Sequence, residues 1–234
     1  MQAELGLRER KKARTRQLIA DTARRLFAER GFDAVPVAEV ARAAEVSEAT
    51  VFNYFPTKED LVYRGFEAFE DELLAAVRDR PAGESIVAAF GRFVLQARGF
   101  LAVPDQESAR YLVAVSKMIA DSPVLRARER EILARYTESL AALIAAETAA
   151  DPDDLRPWVV ARALIGTHQS LIEFVRRHLT GDAADHVALA REVRARGHEA
   201  LAQLEQGLAS YGAAAGRGRC GLSVVAGAQP GEVV

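Results

Sequence analysis

The sequence contains a single cysteine, Cys220, among its 234 residues. One cysteine cannot form a disulfide framework or a cysteine-based metal site, and this usage favours a reducing compartment. The chain also lacks any run approaching the roughly 18 apolar residues that a membrane span needs. Its charged N-terminus has no apolar segment of the signal-peptide kind. We therefore expect a cytoplasmic protein without membrane contact.

Motifs for catalysis and cofactor binding are missing as well. The sequence contains no HExxH, GxSxG, phosphate-binding P-loop or dinucleotide-type glycine pattern. His178 and His186 stand on either side of a glycine-containing break, which is a poor arrangement for a metal site. We expect no enzyme, no cofactor and no metal. Acid–base catalysis in a helical body and a helical protein–protein adaptor are the two alternative classes.

Charge is unevenly distributed along the chain. The formal net charge is only −2, but residues 8–16 contain six basic residues and one acidic residue, Glu9. This basic arm consists of Arg8, Arg10, Lys11, Lys12, Arg14 and Arg16. A basic segment on a neutral-to-acidic body predicts that one end of the molecule binds a polyanion.

The apolar pattern predicts an all-α protein of about nine helices. No segment has the alternation of β-branched residues that is typical of a strand. The helical spacing and the Gly, Pro and Ser breaks predict helices over 9–30, 37–43, 47–54, 58–79, 84–101, 106–120, 124–149, 155–179 and 185–210. Residues 212–234 are rich in Gly and Ala and are predicted to form a disordered tail.

Two short helices in this pattern, 37–43 and 47–54, have the size of a helix-turn-helix. Ser47 is suited to cap the second helix, and Pro56 to end it. Thr57 and Asp60 form a capping-box pattern at the start of the next helix. The flanking helices 9–30 and 58–79 offer apolar stripes that can cover the pair, with Leu18, Ile19, Thr22, Ala23, Leu26 and Phe27 on the first.

The same segment resembles the TetR family of regulators over about residues 18–62. The stretches that carry the resemblance are GFDAVPVAEVA at 31–41, AEVSEATVFNYF at 44–55 and PTKEDL at 56–61. The resemblance implies an N-terminal three-helix DNA-binding head in residues 1–56 and a helical body in 57–211, joined through helix 58–79. It also implies a homodimer that binds operator DNA as a repressor and releases it when a small-molecule effector binds. Two positions depart from the family: Pro36 stands where Ser or Thr is usual, and Glu45 where Gly is usual.

Docking geometry assigns roles on the recognition helix, because its N-terminal part enters the major groove. Val51 and Phe55 should face inward, and Phe52 is also expected to be largely core. Asn53 can read adenine, and Glu48 can accept a hydrogen bond from the cytosine amine. The resemblance adds phosphate contacts at Thr50, Tyr54 and Lys58 and base contacts near Ala49 and Asn53. The full predicted DNA site is Ser47, Glu48, Ala49, Thr50, Asn53, Tyr54, Lys58 and Arg14.

The last two long helices are predicted to form the dimer interface. Leu164, Ile165, Leu171, Ile172 and Val175 line helix 155–179, and Val187, Leu189, Ala190, Val193, Leu201 and Leu204 line helix 185–210. If both stripes are exposed in a monomer, they form an apolar patch large enough to indicate an interface.

The resemblance also implies a ligand pocket among helices 84–149 and 155–179. The candidate lining residues are aromatic or polar side chains on otherwise apolar helices: Phe93, Phe100, Tyr111, Met118, Tyr136, Trp158, His168 and Gln169. For His168, Trp158 and Met118 interior packing is the favoured alternative to ligand contact, and a face that lines a pocket has the same periodicity as one that faces a core.

Overall fold

The computed structural model of the chain describes residues 6–63, 66–96, 99–102, 106–179 and 186–207, with no strand among them. In these ranges the chain forms nine α-helices and two 3₁₀ helices, Glu59–Leu61 and Gly99–Ala102. The α-helices are α1 Leu7–Arg30, α2 Val37–Ala43, α3 Glu48–Tyr54, α4 Phe66–Arg78, α5 Ile86–Val94, α6 Gln106–Asp121, α7 Pro123–Thr148, α8 Arg156–His178 and α9 His186–Glu205. The predicted tail at 212–234 lies outside the described residues.

The first three helices form a unit that we call the head. Helix α1 packs on α2, and α2 packs on α3. Ile19 and Ala23 are fully buried and mark the centre of the α1 stripe. The expectation that Leu18 belongs to this stripe is wrong: its side chain is 49% exposed, because it lies beside the stripe, one residue out of register with Ile19.

The turn between α2 and α3 is closed by a Schellman motif. Val46 N–H donates to the carbonyl of Ala41 at 2.9 Å, and Glu45 N–H donates to that of Arg42 at 3.2 Å. Glu45 occupies the left-handed position of this motif, with φ +56°. At the other end of α2, Pro36 is the N-cap residue and offers no side-chain hydrogen bond. An ion pair between Arg30 and Glu39 instead ties the end of α1 to the first turn of α2.

We expect Glu45→Gly to stabilise the protein. A side chain in the left-handed region costs roughly 1–2 kcal/mol, and part of this gain is lost to the greater freedom of glycine in the unfolded chain. The expected net gain of about 1 kcal/mol corresponds to a rise of about 2–4 °C in the melting temperature of a chain of this size. Thermal unfolding measures it. Glu45→Ala removes the same charge but keeps Cβ, so a similar rise in that variant would contradict the backbone explanation.

The predicted helix 58–79 is wrong as a single element. The chain forms the 3₁₀ turn Glu59–Leu61 and then α4, which begins at Phe66. Thr57 and Asp60 do form the expected reciprocal pair: Thr57 N–H donates to the Asp60 carboxylate at 3.0 Å, and Asp60 N–H donates to the Thr57 hydroxyl at 3.3 Å. The predicted helix 84–101 is likewise replaced by α5 and the 3₁₀ helix Gly99–Ala102.

Helices α4 to α9 form a second unit that we call the body. Helix α8 is central, since it packs against α5, α6, α7 and α9. No helix among the described residues combines the length and apolar character needed to cross a bilayer.

Most residues of the apolar stripes predicted for the dimer interface are buried by helix packing within the single chain. Leu164, Ile165, Leu189, Ala190, Val193 and Leu201 are all buried within the single chain. The premise that a monomer exposes both stripes is therefore wrong for these residues, because α8 and α9 use them to pack on each other and on α5 and α7. Val187 is the member of the predicted set that is clearly exposed, at 54%.

Candidate nucleic-acid interface

Helix α3 is held to the head by one apolar edge and one cap. Val51 and Phe55, four residues apart, are each 1% exposed and fix the inward face of the helix. The Ser47 hydroxyl accepts a hydrogen bond from Thr50 N–H at 3.1 Å, as the sequence predicts for the N-cap. The Ser47 and Thr50 hydroxyl oxygens are 2.8 Å apart, so Thr50 is oriented by the cap residue. The opposite face of α3 is thereby directed outward.

The outward face contains most of the predicted DNA-binding residues. Ser47, Glu48, Ala49 and Asn53 are exposed, while Thr50 and Tyr54 are half-buried at its margins. The expectation that Phe52 is largely core is wrong, since its side chain is 45% exposed. Each helical residue turns about 100° from the last, so Phe52 follows the buried Val51 onto the open face. The spacing of Phe52 from Ala49 and Glu48, which precede it by three and four residues, would have placed it on this exposed face.

The basic residues of the predicted interface lie on either side of α3 in the sequence. Arg14 is exposed on α1, within the basic arm. Lys58 is half-buried, and its Nζ lies 4.3 Å from the centroid of the Phe32 ring. This cation–π contact orients the Lys58 ammonium group without neutralising it.

Directly after α3 in the sequence, side chains from residues 60–63 bind the body. The Asp60 carboxylate accepts two hydrogen bonds from Arg128 of α7, at 3.0 Å from Nε and 2.8 Å from Nη2. The Tyr63 hydroxyl donates to the Leu125 carbonyl at 2.8 Å. Burial raises the pKa of Tyr63 above its ordinary range, with a further contribution from the nearby Glu129 carboxylate, so the phenol stays protonated as a donor. These contacts fix the start of α7 to the segment that follows α3.

A bidentate ion pair continues this connection into α8. Arg176 donates to both oxygens of Glu129, with Nη1 at 2.7 Å from Oε2 and Nη2 at 2.5 Å from Oε1. Both side chains are largely removed from solvent, at 17% and 13% exposure. A contiguous set of contacts therefore runs from residues 60–63 through α7 to α8.

Three of the predicted pocket residues meet around Phe69 of α4. The ring of Phe69 contacts Phe93 with centroids 5.2 Å apart, Tyr136 at 5.6 Å and His168 at 5.3 Å. Burial lowers the pKa of His168 to about 4, so its ring is neutral near pH 7. We call these four residues the Phe69 cluster. It joins α4, the first helix of the body, to α5, α7 and α8.

The other predicted pocket residues lie elsewhere. Trp158 and Gln169 line a groove of about 390 Å³ between α7 and α8, on the outside of the body. Met118 borders a cleft of about 430 Å³ between α6 and the end of α1. The side chains of Phe100 and Tyr111 lie outside the described residues. The structure thus brings Phe93, Tyr136 and His168 together and separates them from Met118, Trp158 and Gln169.

A capped recognition helix on a small helical head, joined to a larger helical body, is the architecture of a DNA-binding transcriptional regulator. The family model described as "Bacterial regulatory proteins, tetR family" matches residues 19–64. The model described as "MftR C-terminal domain" matches residues 84–209, which is more than half of the chain. The chain belongs to the TetR family of bacterial regulatory proteins.

Individual relatives are similar over part or most of the chain. The transcriptional regulator TcmR of Streptomyces glaucescens is 33% identical over 163 residues, covering 67% of this chain and 71% of TcmR. The transcriptional repressor AcnR of Corynebacterium glutamicum is 29% identical over 119 residues, covering 50% of this chain and 57% of AcnR. The crystal structure of NalD, a repressor of a multidrug efflux pump in Pseudomonas aeruginosa, has a TM-score of 0.48 and 22% identity, covering 79% of this chain and 97% of that one.

Proposed function

We propose that this regulator is a homodimeric repressor that a small-molecule effector releases from its operator. Residues 1–56 bind the DNA, and residues 57–211 dimerise and sense the effector. The observation that carries the DNA assignment is the orientation of α3, whose Val51 and Phe55 are buried while Glu48, Ala49 and Asn53 are exposed. The proposal that the protein represses transcription and does not activate it is supported by the relative AcnR, which is named a transcriptional repressor. We expect the protein to act in the cytoplasm, where the DNA of a bacterial cell lies.

The direct test is binding to duplex DNA from the region upstream of the protein's own gene. Specific binding should weaken steeply as salt rises, because phosphate contacts release counterions. The absence of salt-sensitive binding to any fragment of this region would count against the proposal and would favour the adaptor alternative.

Two single substitutions should separate phosphate contact from base contact. Lys58→Ala is expected to weaken binding to all sequences alike and to reduce the salt slope by about 1. Asn53→Ala is expected to weaken operator binding by about 1–3 kcal/mol with little effect on unrelated DNA. Fluorescence anisotropy over a salt series measures both quantities. Lys117→Ala on α6 is the matched control for the lost charge, and a slope change of the same size there would contradict the role given to Lys58.

The dimer contact that we propose lies on the outer face of α8. Leu155, Trp158 and Val159 are 72%, 42% and 64% exposed, and their spacing of three and four residues places them on one side of the helix start. The groove beside Trp158 can receive a side chain from the symmetry-related copy. A two-fold axis here pairs this surface with itself, as in most homodimers.

The effector region that we propose includes the Phe69 cluster. Its rings connect α4 to α8, and α4 follows the segment that binds Arg128 and Leu125 of α7. A ligand that moves Phe69 would therefore act on the helix that leads to the head. Coupling between two sites is reciprocal. If such a ligand lowers the protein's affinity for DNA by some factor, then bound DNA lowers the protein's affinity for the ligand by the same factor.

A further inference from the structure

Phe52 is the largest apolar side chain exposed on the recognition helix, at 45%. Ala49, three residues earlier, is exposed on the same face, and residues at this spacing are neighbours on a helix surface. Glu48 and Asn53 flank the two apolar residues. The centre of the outward face of α3 is therefore apolar, and its edges are polar.

This position limits what Phe52 can contact. The ring cannot donate a hydrogen bond to a phosphate or to a base edge. The apolar group in the floor of the major groove is the C5 methyl of thymine, which phenylalanine and alanine side chains contact in protein–DNA complexes. We infer that Phe52, with Ala49 beside it, contacts a thymine methyl group and makes the protein select thymine at one position of each half-site.

Charge and position favour DNA as the occupant of this apolar surface over another protein. The basic arm on α1 exposes Arg8, Arg10, Lys11, Lys12 and Arg14, which complement the phosphate backbone. Phe52 also lies between Ala49 and Asn53, two residues of the DNA-facing set. The inference rests on the DNA-binding role of α3 and adds the chemistry of one base contact to it.

Replacing thymine by deoxyuridine removes only the C5 methyl group, which makes it the sharpest test. Duplexes that the wild-type protein selects from a random pool provide the operator sequence. Each thymine of that sequence is then replaced in turn, and affinity is measured by fluorescence anisotropy at one salt concentration. Loss of one buried methyl should weaken wild-type binding about fourfold at the contacted thymine. Phe52→Ala should bind the thymine and deoxyuridine duplexes equally, and Phe52→Leu should retain part of the difference.

The outcomes separate this inference from the broader function. If wild-type protein binds the selected operator but no thymine is methyl-sensitive, the contact does not exist, although the DNA-binding role stands. If the sensitivity survives in Phe52→Ala and disappears in Ala49→Gly, then Ala49 alone makes the contact and the inference is overturned. A wild-type protein that selects no sequence would overturn the DNA-binding role itself. Unchanged thermal unfolding of Phe52→Ala is expected, because the exposed ring contributes little to the core.

Discussion

Arg176→Met is expected to lower the free energy of unfolding by about 3 kcal/mol, the size typical of removing one partner of a buried ion pair. Arg176 donates to both oxygens of Glu129, and the two side chains are only 17% and 13% exposed. Methionine fills a similar volume but leaves the carboxylate without its counter-charge. Denaturant unfolding at a fixed protein concentration measures the loss, because the stability of an oligomer depends on that concentration.

Arg177→Met provides the matched control, because the adjacent Arg177 is exposed on the same helix and its loss should cost less than about 0.5 kcal/mol. The double variant Glu129→Met/Arg176→Met should recover most of the lost stability, because no buried charge is left unpaired. If Arg176→Met proves as stable as Arg177→Met, the ion pair is not the structural connection between α7 and α8 that we describe.

The helix ends and the turn of the head could be predicted from the sequence, because single residues there cap a helix or adopt a particular backbone conformation. Ser47 accepts the N-cap hydrogen bond of α3, and Glu45 adopts the left-handed conformation where glycine is usual. Asp60 caps the turn at Thr57 as the sequence predicts, and its other carboxylate oxygen binds Arg128 of α7, which the local pattern does not indicate.

Long-range pairs could not be predicted in this way. Asp60 and Arg128 are 68 residues apart in sequence, and Glu129 and Arg176 are 47 apart. Neither spacing carries a local signal, because both depend on how α7 packs. The same limit explains the dimer stripes: Leu164 and Val193 have the periodicity of an interface, yet they face the core of their own chain. Among the described residues of α8, those that remain exposed, such as Trp158 and Val159, are available to a second copy.

Val159→Glu is accordingly expected to separate the dimer and to abolish operator binding. Val159 is 64% exposed in the single chain, so a glutamate there is harmless to an isolated fold. In the proposed dimer it places a charge in an apolar contact, near its own symmetry mate, and a buried unpaired charge costs about 3–5 kcal/mol. The dissociation constant should therefore rise at least 100-fold, as measured by light scattering or analytical ultracentrifugation. Each monomer then holds a single recognition helix and loses the affinity that two linked half-site contacts give.

Val124→Glu introduces the same charge at another exposed valine, 52% accessible in the first turn of α7. A negative charge is favourable at a helix N-terminus, so this variant should fold, dimerise and bind DNA as the wild type does. Equal melting of the two variants at a concentration low enough for both chains to be monomeric would show that the change lies in association and not in the fold. A Val159→Glu protein that stays dimeric at micromolar concentration and binds the operator normally would rule out the α8 surface as the interface, because no apolar contact at that position could absorb the charge without weakening.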